Sequence, residues 1–288
     1  MIVCIVGPTG VGKTKLSIVL AKKYQGIIIN ADAMQVYQQL NIGTAKISKE
    51  EQGSIPHYLF DIIDVQDDYT VYDYQKDFRK IIDENLDRNI FIVGGSGLYI
   101  KAGLYDYVFN EFKEKNEYND YSNKQLYALV KKTDINSDIH PNNRRRMISF
   151  LNRGEVTNNK NNLLYDCHFI GLRTNREILY QITDERVDKM ISDGLLEEVK
   201  SLYDKNIRSK ALLTAIGYKE LYAYLDGYIS LPQAIMDIKK NTRHFIKRQY
   251  TWYSHQMNIK WFEVNFEDFD QTILDITNYL ETHDTLKD

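Results

Sequence analysis

Gly7-Pro8-Thr9-Gly10-Val11-Gly12-Lys13-Thr14 fits the spacing G-x-x-x-x-G-K-[ST] in full. The string follows an apolar run and opens a helix-like one, which is the setting a phosphate-binding loop requires. Glycines let successive backbone N–H groups converge on phosphate oxygens, and the helix N-terminus adds partial positive charge. Lys13 supplies a full charge, and the Thr14 hydroxyl is suited to ligate Mg²⁺. Whatever this chain acts on therefore carries a diphosphate. Asp32 is the first acid in the chain, just past a second apolar run. At a strand end of an open α/β sheet it faces the ligand crevice, as a metal-directed acid or a general base. Gly94-Gly95-Ser96-Gly97 closes another apolar run and permits close backbone approach to a ligand.

A second set of residues is basic. Arg144-Arg145-Arg146 follows His140-Pro141, a helix-start signal, and three adjacent arginines project in different directions, so at most two share a site. Arg243, Lys247 and Thr251 fall on one face of a helix, with His244 and Arg248 as a parallel stripe. Phe245, Tyr250, Trp252 and Tyr253 interleave with them, suited to stack on bases or to pack a core. The six histidines show no zinc-type spacing, and the two cysteines, Cys4 and Cys167, read as small buried apolar residues.

The elements that must hold these groups follow from periodicity. Ile2–Val6, Ile27–Ile29 and Ile90–Val93 read as buried parallel strands, with Leu59–Ile63 and His168–Leu172 as further ones. Helices are expected over Lys13–Tyr24 and Asp73–Leu86, then over 184–205, 209–225 and 230–256, with a last strand at Trp261–Val264 and a last helix at Phe266–Leu280. Strands alternating with helices give an α/β fold with a parallel sheet. Residues 110–140 are polar with little apolar periodicity and read as a short inserted lobe, which leaves 1–109 and 141–288 as the core.

The chain has 288 residues, 43% hydrophobic and 27% charged, ordinary for a globular protein. No apolar run reaches the length of a membrane span, and the first one breaks at Gly7-Pro8, so a cytoplasmic protein without membrane attachment is expected. The net charge of −3 hides segregation: no acid occurs from Ile238 to Phe262, whereas the last 26 residues hold eight. From the residues alone this is a phosphate-loop enzyme, most often a kinase, with a basic helical half.

Further blocks run along nearly the whole chain. They are NADAMQVYQQLNIGTAK at 30–46, GGSGLYIKAGLYDY at 94–107, HPNNRRRMISFL at 140–151, ERVDKMISDGLLEEV at 185–199, AIGYKEL at 215–221 and TRHFIKRQYTW at 242–252. With GPTGVGKT, in this order, the chain resembles the tRNA dimethylallyltransferases, or tRNA isopentenyltransferases.

The resemblance implies a P-loop NTPase-like parallel-sheet core, a small helical insertion that grips the anticodon stem-loop, and a helical C-terminal half. It implies transfer of a dimethylallyl group from dimethylallyl diphosphate to the N6 amine of the adenosine 3′ of the anticodon, in tRNAs reading codons that begin with U. Mg²⁺ is the implied cofactor, and nothing demands more than a monomer. By the same resemblance Asp32 is the base, Thr9 lies beside the reacting carbon and leaving oxygen, and residues 7–14 with Arg186 hold the diphosphate, Lys13 and Thr14 as charge and metal contacts. Asp32, Ala33, Met34, Gln35, Ser96, Arg145, Arg146, Met147, Ile148 and Ser149 are implied to meet the tRNA. So are Gly217, Tyr218 and Lys219, and, on the basic helix, Arg243, Lys247, Arg248, Gln249 and Trp252. An adenylate prenyltransferase acting on free AMP, a small-molecule kinase and a non-catalytic RNA-binding protein are the alternatives.

Overall fold

The computed structural model describes residues 1–109, 118, 120–135, 137–152 and 162–283. Two compact units divide the chain: Met1–Tyr105 with Leu163–Asp288, and Asp106–Asn162.

The first unit is built on one six-stranded sheet. In chain order its strands are β1 (Ile2–Val6), β2 (Ile27–Asn30), β3 (His57–Tyr58), β4 (Ile90–Val93), β5 (His168–Arg173) and β6 (Lys260–Glu263). All pair in parallel, in the order β3-β2-β4-β1-β5-β6. β1, β2 and β4 are buried along their whole length, which explains their unbroken apolar runs. Because β2, β4 and β1 are neighbours, the segments that follow them emerge side by side at one sheet edge. Those segments begin at Ala31, Gly94 and Gly7, and they carry Asp32, Ser96 and the phosphate loop.

Helices cover both faces, and a short one, α2 (Lys49–Gln52), precedes β3. α3 (Val71–Asp83) and α4 (Gly97–Leu104) bring Tyr74, Phe78, Ile82 and Ile100 against Ile2, Cys4, Ile29 and Ile92. On the other face α1 (Lys13–Lys23) and α12 (Phe269–His283) bring Leu16, Leu20, Ile276 and Leu280 against Val3, Ile5, Phe91 and Ile170. A third core joins the segment after β2 (Val36, Tyr37, Leu40) to a helical layer. That layer is α7 (Arg176–Ser192), α8 (Leu195–Tyr203), α9 (Lys210–Thr214), α10 (Tyr218–Leu225) and α11 (Leu231–Gln256).

Three expectations change. The third strand is His57–Tyr58 rather than Leu59–Ile63: Leu59 and Asp61 take positive φ of 62° and 54°, which ends the extended run. The stretch 184–205 is two helices, with Gly194 at φ 101° between them, and 209–225 breaks at Ala215–Gly217. The second compact unit extends beyond 110–140 at both ends. It includes α5 (Asn123–Thr133), opened by a Ser122/Gln125 capping box, and α6 (Arg144–Asn152). Leu126, Val130, Ile139 and Met147 form its own small core.

Candidate active site

The chain between β1 and α1 turns through Gly12, whose φ of 98° is a left-handed conformation that glycine adopts without strain. This turn lets α1 start at Lys13 directly beneath the loop. The Lys13 ammonium folds back to donate to the Gly7 and Pro8 carbonyls at 3.0 and 2.8 Å. Burial lowers its pKa to about 8; the nearby Asp32 opposes that shift and Arg186 adds to it. The Thr14 side chain is exposed one residue further on.

Thr9 is held by two residues distant in sequence. Arg186 Nη2 on α7 donates to its Oγ1 at 2.8 Å. Its backbone N–H donates to Gln249 Oε1 on α11 at 3.0 Å, and Gln249 Nε2 donates to the Gly95 carbonyl at 3.1 Å. The fit is close: a Cβ on Gly95 would lie 2.3 Å from Gln249 Nε2. Arg186 Nε is buried without a hydrogen-bond partner among the described residues, and its pKa is lowered by burial against the pull of Asp32.

Asp32 is fixed by its own loop. Asn30 Nδ2 donates to the carbonyls of Asp32 and Leu59 at 3.0 and 2.9 Å, and Asn30 Oδ1 accepts from Asp32 N–H at 2.9 Å. Asp32 Oδ1 accepts from Met34 N–H at 2.9 Å, and Ser96 Oγ accepts from Ala33 N–H at 3.0 Å. The other carboxylate oxygen, Oδ2, has no hydrogen-bond donor on it among the described residues.

Two cavities meet at these residues. One, about 460 Å³, is lined by Thr9, Gly10, Gly12, Lys13, Thr14, Gln35, Lys46 and others. The second, about 270 Å³, is lined by Ala33, Met34, Ser96, Gly217, Lys219, Phe245 and Arg248 among others. Thr9, Asp32, Thr44 and Arg186 line both. The arrangement can hold an anionic group in the first cavity and a planar or polar partner in the second, with a carboxylate and a hydroxyl at the junction.

Gln249 is buried and lines the first cavity, with both ends of its amide engaged as above. The other residues singled out in the sequence lie elsewhere. Tyr218 is buried, its hydroxyl donating to Glu198. Gly7, Pro8 and Val11 are buried in the loop's base, and Val11 joins the core. Arg243 lines neither cavity and pairs with Asp184 at 2.5 Å. Lys247 is exposed, and Trp252 is half-buried against Gly97. Within the second unit, Met147 is core, and Arg144 donates to the carbonyls of Tyr118 and Tyr121. Arg145 and Arg146 are exposed, and Arg146 lies 3.8 Å from Asp138, while Ile148 and Ser149 are half-buried. The residues that the sequence pattern did not single out are Asn30, Thr44 and Lys46. Lys46 is fixed by the Tyr37 carbonyl, Asn41 and Asp61 at 2.6 to 3.0 Å, a network formed by tertiary folding and invisible in spacing.

Comparison with known proteins finds relatives along nearly the whole chain. The family described as IPP transferase matches residues 35–256. The tRNA dimethylallyltransferase of Anoxybacillus flavithermus is 43% identical, covering 97% of this chain and 96% of that protein. That of Bacillus velezensis is 46% identical, with 90% of each covered. A solved full-length tRNA isopentenylpyrophosphate transferase from Bacillus halodurans superposes with a TM-score of 0.77 at 39% identity, over 98% of this chain and 95% of that one. A eukaryotic dimethylallyltransferase acting on tRNA superposes with a TM-score of 0.82 at 26% identity, over 100% and 81%.

Proposed function

The chain belongs to the IPP transferase family, and from that premise we propose that it moves a dimethylallyl group from dimethylallyl diphosphate to the N6 amine of a tRNA adenosine. The target is the adenosine 3′-adjacent to the anticodon, in tRNAs that read codons beginning with U. The observation that carries this reading is the junction of two cavities at Thr9, Asp32 and Arg186.

The donor diphosphate occupies the first cavity, against the loop 7–14 and Lys13, and the target adenine enters the second. As the allylic C–O bond breaks, charge accumulates on the departing diphosphate. Backbone N–H groups, Lys13 and the Arg186 guanidinium are fixed groups that favour it. Thr9 Oγ1 accepts from Arg186, which leaves its own proton to donate to the leaving oxygen. An adenine amine is a weak nucleophile, so its nitrogen bonds to the allylic carbon while its proton passes to the free Oδ2 of Asp32. The products are N6-dimethylallyladenosine and diphosphate.

Among the described residues, no three His, Cys, Asp or Glu side chains gather to hold a metal. The exposed Thr14 hydroxyl fits an ion held mainly by the donor's own phosphate oxygens. Mg²⁺ bound in that way supplies further positive charge beside the diphosphate.

The target base leaves the loop stack to reach Asp32, which suits an unpaired anticodon loop. Lys219, Arg248 and Ser96 at the second cavity, with exposed Lys247 and Arg145, supply RNA contacts. No described helix is long and apolar enough to cross a membrane, and we place the enzyme as a cytoplasmic monomer. The test is incubation with dimethylallyl diphosphate and either tRNA or AMP. Product on tRNA alone supports the reading, and rapid turnover of AMP instead overturns it in favour of an adenylate prenyltransferase.

A further inference from the structure

The segment that follows β2 carries Asp32 near its start and Thr44 further on, and Thr44 lines both cavities. Just before Thr44, three consecutive backbone N–H groups converge on one carboxylate. Glu198 Oε2 accepts from Asn41 and Ile42 at 3.2 and 2.9 Å, and Oε1 accepts from Gly43 at 3.3 Å. The Tyr218 hydroxyl donates to the same Oε1 at 2.5 Å. One carboxylate on α8 thus gathers four donors, and bonds to an ionised acceptor are the stronger kind. The buried Tyr218 ring closes the other side: a Cβ on Gly43 would lie 2.5 Å from it. The order continues past the turn, where Gln35 Nε2 donates to the Thr44 carbonyl at 2.9 Å. Glu198 itself lines neither cavity, so it touches no substrate there.

We infer that Glu198 is a positioning residue for the acceptor side of the site. It anchors residues 41–43 to the helical layer, so that Gly43 and Thr44 form a fixed wall of the second cavity beside Asp32. The inference rests on the tRNA-prenylation reading, because that reading assigns the second cavity to the acceptor. The phosphate loop has its own supports, Gln249 and Arg186, which hold Thr9.

The experiment compares Glu198→Gln and Tyr218→Phe with the wild-type protein, by titration with a cognate anticodon stem-loop RNA and with dimethylallyl diphosphate, and by steady-state transfer. Glu198→Gln keeps the side chain's shape but turns an NH2 group toward backbone N–H groups. We expect it to weaken RNA binding and raise the RNA KM about tenfold, with donor Kd within about twofold. Tyr218→Phe, which leaves the three backbone donors in place, raises the RNA KM by roughly twofold to fourfold. Equal losses in donor and RNA affinity, or no change in either, would overturn the inference. A wild-type protein that binds both substrates yet transfers nothing would overturn the functional reading instead, while the two titrations still judge Glu198.

Discussion

Arg186 and Thr9 lie 177 positions apart in the chain, yet Arg186 Nη2 donates to Thr9 Oγ1 at 2.8 Å. This contact joins the helical layer to the phosphate loop at the point where the two cavities meet. It also sets the direction of the Thr9 hydroxyl proton. Arg186→Ala removes a cation and that orientation together, and we expect a fall of about 10²–10³ in the single-turnover rate. Arg186→Lys keeps a charge without the planar fork and recovers only part of the loss. Single-turnover transfer at saturating RNA checks both. A rate within twofold of wild type for Arg186→Ala removes this arginine from the reaction.

Lys13 gives a pH dependence with a definite sign. Burial holds its pKa near about 8, against 10.5 for a free lysine. Between these values the unfolded chain holds more protons than the folded one, so this group makes stability rise with pH from about 8 to about 10.5. Donor binding runs the other way, since a diphosphate favours the charged ammonium. Donor affinity should therefore fall above about pH 8, by up to tenfold per unit, with proton uptake on binding. Calorimetry at about pH 8.5, in two buffers of different ionisation enthalpy, measures that uptake. The same heat in both buffers contradicts it.

Gln249 and Lys247 stand two residues apart on α11 and should fail in different ways. Gln249→Leu cuts the tie between Thr9 and Gly95. We expect donor affinity and the chemical step to fall about tenfold or more, with RNA affinity within about twofold. Lys247→Ala, at an exposed position, should weaken RNA binding and lower the slope of log K against log salt by about 1, with donor affinity unchanged. If Gln249→Leu weakens RNA binding alone, Gln249 is an RNA contact after all.

These contrasts show what was legible in the sequence. Ile2–Val6 and Ile90–Val93 were readable to the residue because they are buried on both faces and end at glycines. The edge strand His57–Tyr58 was not, since two half-buried residues leave no apolar run. Periodicity carried through Gly194 and 215–217, where the chain breaks between helices that share a core face. The phosphate loop and Asp32 were visible from local chemistry. Arg186 came only from resemblance, because one arginine on a helix has no local signature. Gln249 was a tRNA contact only by resemblance, and its burial against Gly95 depends on how α11 packs at the sheet edge. Glu198 lay inside a recognised block without a role until the loop 41–43 folded onto it.

The central claim is that Asp32 takes the proton from an adenosine amine while the phosphate loop holds the departing diphosphate. Wild-type protein and Asp32→Asn should be incubated with dimethylallyl diphosphate and unmodified tRNA, and the digested nucleosides measured by mass. The account predicts N6-dimethylallyladenosine from the wild-type protein, and from Asp32→Asn a rate lower by about 10²–10⁴ with RNA binding retained. An Asp32→Asn rate near wild type, or a prenyl group on any other nucleoside, would contradict it.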